Sequence, residues 1–75
     1  MTQREAILQY IEEFGSITPI QAFSDLGITK LATRISEMRK DGMKFNIEMV
    51  TVKGRYQRMV TYAKYSFSEG AQWQR

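Results

Sequence analysis

The sequence contains no cysteine and no histidine. The first absence excludes disulfides, thiol nucleophiles and thiolate metal sites. The second removes the commonest general base and the commonest metal ligand. No apolar run approaches the ~20 residues that a membrane helix needs. The opening residues, Met1-Thr2-Gln3-Arg4-Glu5, do not form a basic stretch followed by an apolar one, so no signal peptide is expected and the cytoplasm is the expected location. The remaining candidates for catalysis are Asp, Glu, Lys, Ser and Tyr. The eight acids are scattered and no nucleophile–base pair stands out. No catalytic residue, cofactor or metal site is expected, which favours a binding module over an enzyme.

What is present suffices for one small folded domain: 75 residues, 43% apolar, 12% aromatic and 25% charged. The net charge of +3 is unevenly spread. Residues 1–27 carry Arg4 against Glu5, Glu12, Glu13 and Asp25, a net −3. Residues 28–67 carry nine bases and three acids, a net +6. One acidic end and one basic end suit a module that turns a single surface toward a polyanion.

Thr2-Gln3-Arg4-Glu5 has the spacing of a capping box. Ile7, Leu8, Ile11 and Phe14 follow at helical spacing and Gly15 suits a stop, which predicts a helix over Gln3–Phe14. Thr18-Pro19-Ile20-Gln21 is a second start signal: cap residue, proline at the first helical position, glutamine at the third. That helix must end by Gly27, and Ile20, Phe23 and Leu26 form its apolar stripe. Gly27-Ile28-Thr29 is the turn, with Thr29 capping a third helix from Lys30 to about Asp41, before Gly42. On its wheel Leu31, Ile35 and Met38 fall within about 60° of one another and face the core. Lys30, Thr33, Arg34, Glu37 and Asp41 gather on another side, and Arg39 is expected near the acids of the first helix.

After Gly42 the period changes. Phe45, Ile47 and Met49 alternate with Asn46 and Glu48, and a second run rich in β-formers covers Arg58–Phe67. Gly54 marks the hairpin turn between them, although apolar residues on both faces leave the register open. Met38, Met43, Met49 and Met59 read as core and gap fillers, and Tyr62 and Tyr65 as packing the hairpin on the helices. The expected organisation is one domain over residues 1–67 and a flexible tail over 68–75, with Trp73 isolated in the tail.

Helix, short helix, glycine turn, helix and hairpin is the order of an α+β winged helix-turn-helix domain. Gly27 takes the positive φ that the turn needs, and Leu26 and Ile28 anchor it. An α-helix fills the major groove, and residues in its first turns reach base edges. Thr29, Lys30, Thr33 and Arg34 hold those positions, with Arg34 suited to a bidentate contact to guanine. Glu37 shares their stripe, where it would either accept from a cytosine amino group or repel phosphate. Lys53, Arg55, Tyr56 and Arg58 cluster at the hairpin tip, where cations neutralise phosphates irrespective of base sequence. Tyr56 is the one aromatic there able to stack on a base. The start of the second helix, near Thr18, is a further place for a phosphate.

The runs Ser16-Ile17-Thr18-Pro19-Ile20-Gln21-Ala22, Leu26-Gly27-Ile28-Thr29 and Ala32-Thr33-Arg34-Ile35-Ser36-Glu37-Met38-Arg39-Lys40-Asp41-Gly42 resemble small helix-turn-helix proteins encoded by phages and prophages of Gram-positive bacteria. The resemblance continues through Val50-Thr51-Val52-Lys53 and from Arg58 to Tyr65. It implies a winged helix-turn-helix fold, a phage or prophage source and DNA binding. The expected function is binding to double-stranded DNA as a phage-encoded transcriptional regulator or an accessory DNA-architecture factor. A lone module of this size has limited affinity, so a homodimer or tandem binding is expected at specific sites. One departure stands out. Six positions after the turn glycine, where repressors usually place an apolar residue, this chain has Thr33, which implies a rotated third helix. A different reading of the same domain is a protein-interaction module that binds and inhibits a host enzyme or defence complex, through apolar surface around Tyr56, Met59 or Trp73.

Overall fold

A computed structural model of the chain describes residues 1–68. The expected tail, Trp73 included, lies outside the described residues apart from Ser68. Three helices precede one β-hairpin: α1 (Gln3–Phe14), α2 (Pro19–Leu26), α3 (Leu31–Lys40), β1 (Phe45–Lys53) and β2 (Met59–Phe67). The fold is α+β, as the sequence pattern predicts.

Local chemistry sets the ends of the first two helices. Thr2 accepts from the Glu5 N–H, Glu5 reaches back to the Thr2 backbone, and Gly15 closes α1 at φ +88°. Thr18 and Gln21 form the same reciprocal box at α2, with Pro19 at the first helical position and Gly27 closing at φ +69°. The third start differs from expectation. The cap of α3 is Lys30 rather than Thr29, and no side chain bonds its first turn.

The core is built from Ile7, Leu8, Tyr10 and Ile11 of α1, Ile17, Ala22, Ile28, and Leu31, Ile35 and Met38 of α3, with Tyr65 from the hairpin. The exposure of Thr33 and the burial of Leu31, Ile35 and Met38 show which side of α3 faces inward. On α2, two residues expected in the core are not there. Ile20 is 72% and Phe23 62% exposed, and the inward stripe of α2 is instead Ala22 with partly buried Leu26, at i and i+4. Ala22 has no exposed surface, so the short helix lies close to the body on its smallest side chain. Phe14 is also outside, with its ring centroid 4.6 Å from that of Tyr10. The Tyr10 hydroxyl donates to Asp25 Oδ2 at 2.6 Å and ties α1 to the end of α2.

The register that the sequence left open pairs Phe45 with Phe67, Ile47 with Tyr65, Met49 with Ala63 and Lys53 with Met59, antiparallel. Successive side chains alternate between faces. One face sets Phe45, Ala63, Tyr65 and Phe67 against the helices. Tyr62 lies three residues from Tyr65 and so on the opposite face, across from Val50; of the two tyrosines, Tyr65 alone packs on the helices. Ile17 bonds Tyr65 through both backbone groups, at 2.8 and 2.9 Å, and adds a one-residue third strand at the hairpin's base. Beyond that base the hairpin is open on both faces. Met49, Val52, Met59 and Val60 are exposed, so two of the four methionines expected as fillers are surface residues.

The turn is also made otherwise than expected. Tyr56 and Gln57 occupy the left-handed region, at φ +59° and +61°, and Arg58 N–H bonds the Arg55 carbonyl at 3.3 Å. Gly54 has extended backbone; its lack of a Cβ matters because that atom would lie 2.9 Å from Val60 Cγ2 and 3.2 Å from the Arg58 carbonyl oxygen. No helix among the described residues is long and apolar enough to cross a membrane.

Candidate nucleic-acid interface

The polar flank of α3 is divided between a side that meets α1 and a side that does not. Arg34 Nη1 lies 2.6 Å from Glu37 Oε1, and Arg34 Nε donates to Gln3 Oε1 at 3.2 Å. Arg4 reaches Glu37 at 3.6 Å and Asp41 at 2.7 Å. Gln3, Arg4, Arg34, Glu37 and Asp41 therefore form one network across the start of α1. The structure places Arg34 and Glu37 together but holds them in this network, where the guanidinium fork of Arg34 is already engaged. Pairs this exposed add little stability, but they fix where the side chains point.

Arg39 lies elsewhere than its sequence position predicts. It was expected beside the acids of α1, yet α1 meets the opposite flank, and Arg4 takes the acidic partners of α3. Among the described residues Arg39 and Lys40 are exposed and form no ion pair. Thr29, Lys30 and Thr33 are exposed too. The free polar surface of α3 thus runs through Lys30, Thr33, Ser36, Arg39 and Lys40. The sequence pattern did not single out Arg39 and Lys40 as exposed cations of this surface. The signal that could have found them is Arg4, the one cation of the N-terminal segment, which can neutralise Glu37 and Asp41 only from one side of the helix.

At the far end of the hairpin Lys53, Arg55, Tyr56 and Arg58 are exposed, within one turn. Tyr56 is 86% exposed, the highest value among the large apolar residues of the two strands and their turn. Lower on the hairpin Lys64 lies directly across from Glu48. The acids of residues 28–67 are thereby placed: Glu37 and Asp41 face Arg4 or Arg34, and Glu48 faces Lys64. The cations left over are Lys30, Arg39 and Lys40 at α3, Lys44 just before β1, and Lys53, Arg55 and Arg58 at the tip.

The start of α2 offers little to a phosphate. Pro19 has no N–H, Gln21 N–H goes to the Thr18 hydroxyl and Ala22 N–H to the Thr18 carbonyl, which leaves Ile20 alone in the first turn. No group of three or more acids among the described residues is arranged to hold a metal ion. The Tyr10 phenol is held above its ordinary pKa by its hydrogen bond to Asp25 and then by burial and the Asp25 charge.

A short second helix, a left-handed glycine turn, a third helix with its polar face outward and a two-stranded wing define a winged helix-turn-helix protein. The chain belongs to the winged helix-turn-helix domain family, whose model matches residues 2–70, helices and wing together. No curated protein and no solved structure matches it.

Proposed function

We propose that the chain is a DNA-binding module that lays α3 in the major groove and the wing tip on the backbone or in the minor groove of a duplex. The observation that carries this reading is the segregation of charge. The acids of α3 are held by Arg4 and Arg34, while Lys30, Arg39 and Lys40 on α3 and Lys53, Arg55 and Arg58 on the wing stand exposed. Phosphate neutralisation by such groups supplies affinity, and base edges met by Thr29, Lys30 and Thr33 supply selectivity. The engagement of Arg34 and Glu37 with α1 makes them supporting residues of α3 in this reading. A single module of this class buries roughly 600–1,000 Å² of protein surface on DNA, so a homodimer is the proposed form at specific sites. The resemblance to phage and prophage proteins supports a phage-encoded regulator or accessory architecture factor acting in the host cytoplasm, with no catalytic role.

The test is fluorescence anisotropy with a random-sequence duplex across a salt series. A slope of log affinity against log salt of about −3 to −5 corresponds to several phosphates neutralised at roughly 0.9 each. Absence of binding near 50 mM salt, where nonspecific binding is strong, overturns the reading. In that case the exposed pair Ile20 and Phe23 on α2 favours the second reading, a module that docks on and inhibits a host protein.

A further inference from the structure

The turn of the wing has an unusual composition for its geometry. Two successive residues with positive φ are ordinarily Asn-Gly or a similar pair, because side chains with a Cβ are strained there. Here the pair is Tyr56-Gln57, at φ +59° and +61°. An aromatic residue in the left-handed region is rare, and such strain gathers where a ligand is met. Among the described residues the strain has no packing reward: Tyr56 is 86% exposed, and neither a ring contact nor a hydrogen bond holds its side chain. The left-handed turn instead puts a large flat ring at the end of a hairpin that is open on both faces. Lys53, Arg55 and Arg58 stand exposed around it.

We propose that Tyr56 is a stacking residue, placed by the wing tip against the face of a DNA base at a step that the protein unstacks, while Lys53, Arg55 and Arg58 hold the flanking phosphates. This rests on the DNA-binding reading and adds a role for the tip that counterion release does not provide. An aromatic ring gains from any base face it covers, so the contact is tolerant of sequence but selective for weakly stacked or unpaired bases. A cluster of cations alone would neutralise phosphate equally well on a turn of Asn-Gly, without a strained tyrosine.

The test compares the full chain with Tyr56→Phe, Tyr56→Asn and Arg55→Ala on two duplexes, one fully paired and one with a single unpaired base. 2-Aminopurine is placed at or beside the test step. Wild type and Tyr56→Phe are expected to bind the interrupted duplex more tightly than the paired one and to change the 2-aminopurine emission. Tyr56→Asn keeps a residue that tolerates the left-handed region but lacks the ring. It is expected to bind roughly 5- to 150-fold more weakly, the value of stacking on one base, with the salt slope unchanged. Arg55→Ala is expected to lower the magnitude of the slope by about 0.9 and to retain the preference for the unpaired base. Tyr56→Asn is also expected to raise the melting temperature of the free protein, since it relieves the turn, so that stability and affinity move in opposite directions. Wild type binding both duplexes equally, or Tyr56→Asn matching wild-type affinity, overturns the stacking role and leaves the DNA reading intact. Failure of wild type to bind either duplex at low salt overturns both.

Discussion

Arg34 and Glu37, one turn apart on α3, are joined at 2.6 Å, and the same guanidinium donates to Gln3 of α1. The arginine best suited by sequence to grip a guanine is thus part of the brace between two helices. In the proposed DNA complex, the surface offered to a groove shifts toward Arg39 and Lys40.

That shift predicts a contrast between variants. Arg34→Ala should leave affinity for a random duplex within about twofold and the salt slope unchanged, since its charge is already spent within the protein. The double variant Arg39→Ala/Lys40→Ala should weaken binding and reduce the magnitude of the slope by about 1.8, at roughly 0.9 per phosphate contact. Anisotropy over 50–200 mM salt reads both, and the reverse ranking would restore Arg34 to the interface.

The inward stripe of α2 can be tested by stability alone. Ala22 has no exposed surface, so Ala22→Leu should cost about 1–3 kcal/mol by overpacking. Phe23 is largely in water, and Phe23→Ser should change stability by no more than about 0.5 kcal/mol. Urea midpoints of the two variants give the comparison; a large loss for Phe23→Ser would place that ring in the core.

At the base of the wing turn, Gly54→Ala should destabilise the chain by about 1 kcal/mol. The added Cβ would stand 3.2 Å from the Arg58 carbonyl oxygen, and that backbone is fixed by the 2.6 Å bond from Gly54 N–H to the same oxygen. Hydrogen exchange should show the loss concentrated in residues 50–62, with the helices protected as before.

The Tyr10–Asp25 bond gives a pH dependence with a definite sign. The hydrogen bond to Asp25 and then burial hold the phenol proton, so the folded pKa lies above the ordinary 10.0. In the unfolded chain the proton leaves near pH 10. The contribution is therefore full below about pH 10 and is lost as pH rises through the higher folded value. Urea unfolding of wild type should lose stability above pH 10 more steeply than that of Tyr10→Phe. Parallel curves would show that the bond does not couple to folding.

Much of the architecture is legible in the chain because its signals are local. Thr2 with Glu5 and Thr18 with Gln21 are capping boxes whose partners lie three residues apart, and Gly15 and Gly27 occupy left-handed stops. The bounds of α1 and α2 follow from those residues. The turn of the wing was less legible, because the glycine in its sequence serves a close approach at Gly54 while the positive φ falls on Tyr56 and Gln57. Local pattern registers that a glycine is present but not which of its two freedoms is used.

The order of the elements, the ends of the first two helices and the concentration of positive charge after residue 27 are all set locally in the chain. Each depends on hydrogen bonds or periodicity within a few residues of chain. The inward sides of α2 and of the hairpin, by contrast, depend on packing between distant elements. Ala22 rather than Phe23 lies beneath α2, Tyr65 rather than Tyr62 beneath the hairpin, and Arg4 crosses to the acids of α3 so that Arg39 and Lys40 remain outside. A helix with apolar residues on two sides, or a strand with them on both faces, has no preferred side until other elements pack against it. That choice rests on contacts between residues far apart in the chain.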